Sequence, residues 1–121
     1  WSSDVCSSDL SSLDVPLPDG CQDEPYLEAL TAALAQLKAS FEPQFVLYLA
    51  GADPHESDRL GRLKVTKAGM AARDLMVMQY AQSQRCPMAI MMAGGYSTDV
   101  NQIVEIHLQT VRLAAAQRKV I

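Results

Sequence analysis

An α/β fold with parallel strands is what this sequence predicts, and three observations carry that expectation. Phe45-Val46-Leu47-Tyr48-Leu49 and Met88-Ala89-Ile90-Met91-Met92 are short, wholly apolar runs, too short for helices of several turns. Such runs suit strands buried on both faces, as in a parallel sheet. Segments with helical spacing precede, separate and follow them, so the order is helix, strand, helix, strand, helix, with right-handed crossovers expected.

Residues 11–24 contain Pro16, Pro18 and Gly20 among acidic neighbours and read as an extended loop. A helix near 25–40 follows, with Asp23 or Glu24 as its cap and Pro25 tolerated in the first turn. Leu27, Leu30, Leu34, Leu37 and Phe41 recur at spacings of three and four, which puts them on one face. Pro43 stops this helix and the first strand, near 44–50, begins. A loop from Gly51 to about Val65 leads to Thr66, a suitable cap for a helix near 66–84 that carries Ala71, Leu75, Met78 and Ala81 on one side. Pro87 introduces the second strand, near 87–92, whose methionines 88, 91 and 92 read as strand core. Gly94-Gly95 then turns the chain into a last helix near 98–117, with Val100, Ile103, Val104, Leu108 and Val111 as its apolar stripe. His107 falls on that stripe and reads as a core histidine.

The chain has 121 residues, of which 49% are hydrophobic, enough for one domain of modest size. Its net charge of -4 argues against a nucleic-acid surface, which needs clustered Lys and Arg. Arg59, Arg62, Lys64 and Lys67 do gather, but Asp53, Glu56 and Asp58 lie among them, and the expectation is a solvated loop of mixed charge. Cys6, Cys21 and Cys86 show no Cys-x-x-Cys spacing, so reduced thiols and a cytoplasmic location are expected. No apolar run approaches the roughly 18 residues that span a bilayer, and no membrane association is expected. Residues 1–12 stand apart. Ser2-Ser3-Asp4-Val5 is nearly repeated as Ser7-Ser8-Asp9-Leu10, and residues 1–10 resemble translated sequencing adapter, the other reading being a flexible Ser-rich leader. On the adapter reading the natural protein continues upstream, residues 13–118 are part of a domain, and 119–121 are a tail. Two strands are also few for a sheet that wants helices on both faces.

Ligands of open α/β sheets collect beyond the carboxyl ends of the strands. Asp53 follows the first strand and Tyr96 the second, so adjacent parallel strands would bring both to one rim. Each also has a plain structural reading, Asp53 as a turn or cap residue and Tyr96 as a packed aromatic. Three motifs add to this: the Gly51-Ala52-Asp53 turn, Asp58-Arg59-Leu60-Gly61-Arg62-Leu63 with Thr66 after it, and Gly94-Gly95-Tyr96. Over about residues 13–115 the sequence resembles the C-terminal part of zinc-dependent deacetylases of the histone deacetylase family, including bacterial acetylpolyamine and acetoin-utilisation relatives.

That resemblance implies part of an arginase/deacetylase-type three-layer fold and metal-assisted hydrolysis of acetyl-lysine or acetylpolyamine amides to amine and acetate. It implies Asp53 as a Zn2+ ligand, Tyr96 as the catalytic hydrogen-bond donor to the scissile carbonyl, and Leu60, Gly94 and Gly95 along the acyl channel. Zinc in such a site lowers the pKa of a water and polarises the carbonyl. The family takes two further ligands from an Asp-x-His motif and its base from a His-His pair, both upstream of the matched region. Here the only histidines are His55 and His107, with no adjacent pair, so a chain inactive without the N-terminal half of the domain is expected. Asp53-Pro54-His55 superficially looks like Asp-x-His and makes His55 a secondary metal candidate, although its surroundings match the Gly-x-Asp turn. Ala93 stands where a glycine often precedes Gly94-Gly95. Two other readings are a small α/β binding module whose Gly-rich turn caps a helix, and a metal-free pseudoenzyme of the same fold.

Overall fold

The structure, a computed structural model, describes residues 11–117. The leader reading of residues 1–10, Cys6 and the tail at 119–121 lie outside the described residues. The order is α1 (Asp23–Ser40), β1 (Val46–Ala50), α2 (Lys67–Ser83), β2 (Met88–Met92) and α3 (Val100–Gln117), as expected within two residues at each boundary.

The N-terminus of α1 is reached through a turn at Gly20, whose φ of +76° is open to glycine but strained for other residues. Asp23 and Glu24 occupy the first turn, where carboxylates offset the positive end of the helix dipole. The expected cap is corrected here. Gln22 is the N-cap, and Asp23 instead reaches another helix, accepting hydrogen bonds from the Thr66 backbone N–H at 2.7 Å and the Thr66 hydroxyl at 2.5 Å. Thr66 caps α2 as expected by accepting from the Gly69 N–H at 3.1 Å. Two helix starts are thus joined through one carboxylate. The leucines of α1 are half-buried and Phe41 is exposed, so the face ends before Phe41.

The strands pair in parallel, with Val46 opposite Met88 and Ala50 opposite Met92. Burial on both faces is not observed. Val46, Tyr48 and Ala50 turn toward α2, whereas Leu47 and Leu49 point the other way and remain 67% and 65% exposed. All the helical cover supplied by the described residues lies on the first face, because α1 and α3 both pack against α2. Met91 and Met92 are exposed as well, which corrects their reading as core; Met88 is half-buried.

The last helix is rotated from its expected setting. Ile106 and Thr110 are buried and Ile103 packs on the core, while Val100, Val104, Leu108 and Val111 are exposed. A polar anchor fixes that rotation: the Thr110 hydroxyl donates to the fully buried Asp74 carboxylate of α2. His107 is accordingly half-buried and not a core residue; it lines an apolar groove of about 250 Å³ with Ile90, Met92, Val111 and Ala114.

Ala52, Val65, Met70 and Ile106 form the buried core, with Tyr26, Leu63 and Ile103 packed against it. It sits directly under the loops that leave the strand ends. No helix among the described residues is long and apolar enough to cross a membrane.

Candidate active site

Both strands end at one rim, and the loops that leave them are tied to each other immediately. The Ala52 N–H donates to the Gly94 carbonyl at 2.6 Å, which continues the pairing of β1 and β2 past their last residues. Asp53 follows on one side of this link and Gly95-Tyr96 on the other.

The carboxylate of Asp53 rests against glycine backbone. A Cβ placed on Gly51 would lie 2.4 Å from Asp53 Oδ1, and one on Gly94 would lie 2.9 Å from it. Any side chain at either position would displace the carboxylate. The same hypothetical Cβ on Gly94 would lie 3.4 Å from Cε2 of Tyr96, so Asp53 and the Tyr96 ring flank a single glycine. Asp53 is half-buried and Tyr96 is 47% exposed, which leaves the ring open to a ligand at the rim.

The other candidates are placed less directly. Leu60 is exposed at 68% on the neighbouring loop. Gly95 faces inward, where a Cβ would meet Ile103 and Ala52 at 3.1 and 3.2 Å, so its place in the turn is tied to packing on α3. His55 is buried, and its Nδ1 lies 2.8 Å from the Ser57 hydroxyl and accepts the Ser57 backbone N–H at 3.2 Å. Burial holds its pKa below the ordinary histidine value, with Glu56 opposing the shift and Lys67 adding to it. These bonds spend one ring nitrogen on the turn.

The sequence marks the Asp58-Arg59 motif without showing its contacts, and a second constellation is not marked in it at all. Asp58 and Arg59 are more than a solvated charge cluster. Asp58 Oδ1 accepts the Tyr96 N–H at 2.6 Å, Asp58 Oδ2 accepts the N–H groups of Leu60 and Gly61 at 3.0 and 2.7 Å, and Arg59 Nε donates to the Tyr96 carbonyl at 3.0 Å. Beneath the rim, Arg73 and Asp74 form a buried ion pair with Nη2···Oδ1 at 2.9 Å. Asp74 also accepts from the Tyr48 hydroxyl at 2.5 Å, and Arg73 Nη1 donates to the Gly51 carbonyl at 2.7 Å. Burial and the adjacent Asp74 push the Tyr48 pKa well above the ordinary tyrosine range, partly offset by the Arg73 charge. A signal existed for the second constellation. Met70, Arg73, Asp74, Met78 and Ala81 share the inward arc of α2, and a charged pair on such an arc has to be buried and matched.

A catalytic zinc takes about three protein ligands. Among the described residues no three His, Cys, Asp or Glu side chains are grouped to hold a metal ion. Asp53 is a single donor at the rim, so these residues alone do not make such a site.

A family profile described as "Histone deacetylase domain" matches residues 4–111, which is most of the chain. This chain belongs to the histone deacetylase family. Among the sequence relatives of this deacetylase-family chain, an uncharacterized protein of Picosynechococcus is 36% identical over 97 residues, covering 80% of the chain and 32% of that protein. Histone deacetylase 2 of Arabidopsis thaliana is 31% identical over 90 residues, covering 74% of the chain and 23% of the relative. The chain therefore spans about a quarter to a third of the length of these relatives. Similar solved structures include an acetylpolyamine aminohydrolase from Burkholderia pseudomallei (TM-score 0.73, 21% identity, 88% of this chain and 29% of that one). Another is an HDAC homolog complexed with SAHA (TM-score 0.73, 24% identity, 90% and 27%). At these identities the structures speak for the fold, which is part of the arginase/deacetylase type, as the resemblance implied.

Proposed function

We propose that this chain is the C-terminal part of a zinc-dependent deacetylase domain that cleaves an acetyl-lysine or acetylpolyamine-type amide to amine and acetate. The observation that carries this reading is the placement of the Asp53 carboxylate and the Tyr96 ring beside the same glycine, Gly94, at the rim of two parallel strands. Asp53 serves as one ligand of a zinc ion whose remaining ligands lie outside this chain. Tyr96 donates a hydrogen bond from its hydroxyl to the amide oxygen as negative charge develops there, a role for which a donor fixed in advance is worth far more than water.

The rest of the domain also has a place to dock. Leu47, Leu49 and Met91 leave one face of the sheet uncovered, and Val100, Val104 and Leu108 leave an apolar face on α3. Exposed apolar surface in contiguous stretches is unfavourable in water and favours a covering partner. Upstream residues of the same domain fit that need, and the chain on its own is inactive.

The test is acetate release from an acetyl-lysine peptide and an N-acetylated polyamine by a protein that carries this segment with its upstream reading frame. Turnover together with one zinc per active domain supports the reading. An upstream frame without His-His and Asp-x-His motifs, or a full-length protein that binds zinc and releases no acetate from either substrate, overturns it.

A further inference from the structure

The Tyr96 ring extends from a loop, not from a strand or helix, and it is 47% exposed, so packing alone does not set its direction. Its backbone does. Consecutive residues of the other crossover loop hold both polar groups of its peptide backbone: Asp58 Oδ1 accepts the N–H at 2.6 Å and Arg59 Nε donates to the carbonyl at 3.0 Å. Asp58 and Ser97 are further joined as an isolated antiparallel bridge, so the two loops run side by side for a short distance. The other oxygen of Asp58 accepts from Leu60 and Gly61 within its own loop. One carboxylate therefore folds its own turn with one oxygen and grips the tyrosine's loop, 38 residues away, with the other.

Resting on the reading of Tyr96 as the oxyanion donor, we propose that Asp58 is a positioning residue for catalysis, which sets the direction of the Tyr96 phenol through the Tyr96 backbone, with Arg59 closing the clamp on the carbonyl side. An aspartate suits this task because an ionised carboxylate accepts on both oxygens and donates on neither. Its bonds to N–H groups are charge-assisted and short. An asparagine of the same shape accepts on one oxygen only. Were it to keep the local turn to Leu60 and Gly61, its NH2 group would face the Tyr96 N–H, donor against donor. The hydroxyl lies at the far end of the ring from the held backbone, so a small tilt of the loop becomes a larger displacement where the substrate oxygen would sit.

The experiment is a double-mutant cycle of Asp58→Asn and Tyr96→Phe in the full-length protein on an acetyl-lysine peptide, with amide hydrogen exchange of Tyr96 measured by NMR in the same protein. Asp58→Asn is expected to lower kcat on the order of 10- to 100-fold with little change in KM, the cost of misplacing a reacting group. In the Tyr96→Phe background the same change is expected to cost almost nothing, because the hydroxyl it would misplace is gone. The Tyr96 N–H is expected to exchange at least about tenfold faster in the variant, having lost a charge-assisted bond. Losses that multiply in the double mutant, or an unchanged exchange rate at Tyr96, overturn the proposal. If Asp58→Asn does not fold, Arg59→Met carries the same cycle, since it removes only the carbonyl-side donor. A wild-type protein that releases no acetate counts against the deacetylase reading alone, because the exchange rate still judges the clamp.

Discussion

Asp53 and Tyr96 both border Gly94: a Cβ on that glycine would come 2.9 Å from Asp53 Oδ1 and 3.4 Å from Tyr96 Cε2. The two side chains arise from different crossovers, 43 positions apart in the sequence. They meet because both follow the same end of paired parallel strands and because the residue between them has no side chain.

Gly94→Ala tests this packing. The added methyl falls inside contact distance of a flexible carboxylate end, so Asp53 moves while the backbone stays. We expect unfolding stability to change by less than about 1 kcal/mol. Zinc affinity of the full-length protein should fall about tenfold, in the range seen when a ligand's surroundings are disturbed. Titration against a competing chelator measures the second quantity, and an unchanged affinity would mean that Asp53 is not a ligand.

Asp53→Asn and Tyr96→Phe should separate binding from chemistry. The first is expected to abolish zinc retention through gel filtration, read by elemental analysis. The second should retain one zinc per domain yet lower kcat by about 100-fold or more, the usual cost of losing an oxyanion donor. Full zinc occupancy in Asp53→Asn, or unchanged turnover in Tyr96→Phe, rejects the corresponding role.

Beneath the rim, Asp74 has no solvent exposure and receives bonds from Arg73, Tyr48 and Thr110. Asp74→Ala leaves the Arg73 guanidinium buried without its counter-charge, and the expected loss is about 3–5 kcal/mol of unfolding free energy. Because Arg73 also holds the Gly51 carbonyl, the turn that carries Asp53 should loosen with it. Urea titration followed by far-UV circular dichroism measures the first effect. A loss below about 1 kcal/mol would show that the pair is not buried as described.

The same network predicts a response to alkali. Tyr48 has its pKa raised above the ordinary value of 10.0, so above that pH the unfolded chain releases a proton that the folded chain retains. Stability is then independent of this group below pH 10.0 and falls as pH rises beyond it. Tyr48→Phe should be less stable near neutrality, for want of the bond to Asp74, but should show a shallower decline between pH 10 and 11. An equal slope in both proteins would remove Tyr48 as the cause.

Much of this was legible locally. Pro43 and Pro87 bracket the elements, Thr66 reads as a cap, and the two apolar runs read as strands, because these signals depend on backbone geometry within a few residues. The joining of Asp53 to Tyr96 followed as well, since parallel strands deliver their loops to one rim. The family resemblance and the family match agree over most of the chain.

Local signals in the chain define its elements, their order and the two loops that reach the rim. Packing between distant segments sets which way α3 turns, brings Asp58 to the Tyr96 backbone, and lays Arg73 and Asp74 beneath Gly51. The physical reason is range. Periodicity reports apolarity around a helix but not which neighbour that helix will meet, and a stripe such as Val100, Val104, Leu108 and Val111 outranks Thr110 on hydrophobicity alone. A buried carboxylate reverses that ranking, because Asp74 has to be hydrogen-bonded and Thr110 is the residue on α3 that can do it.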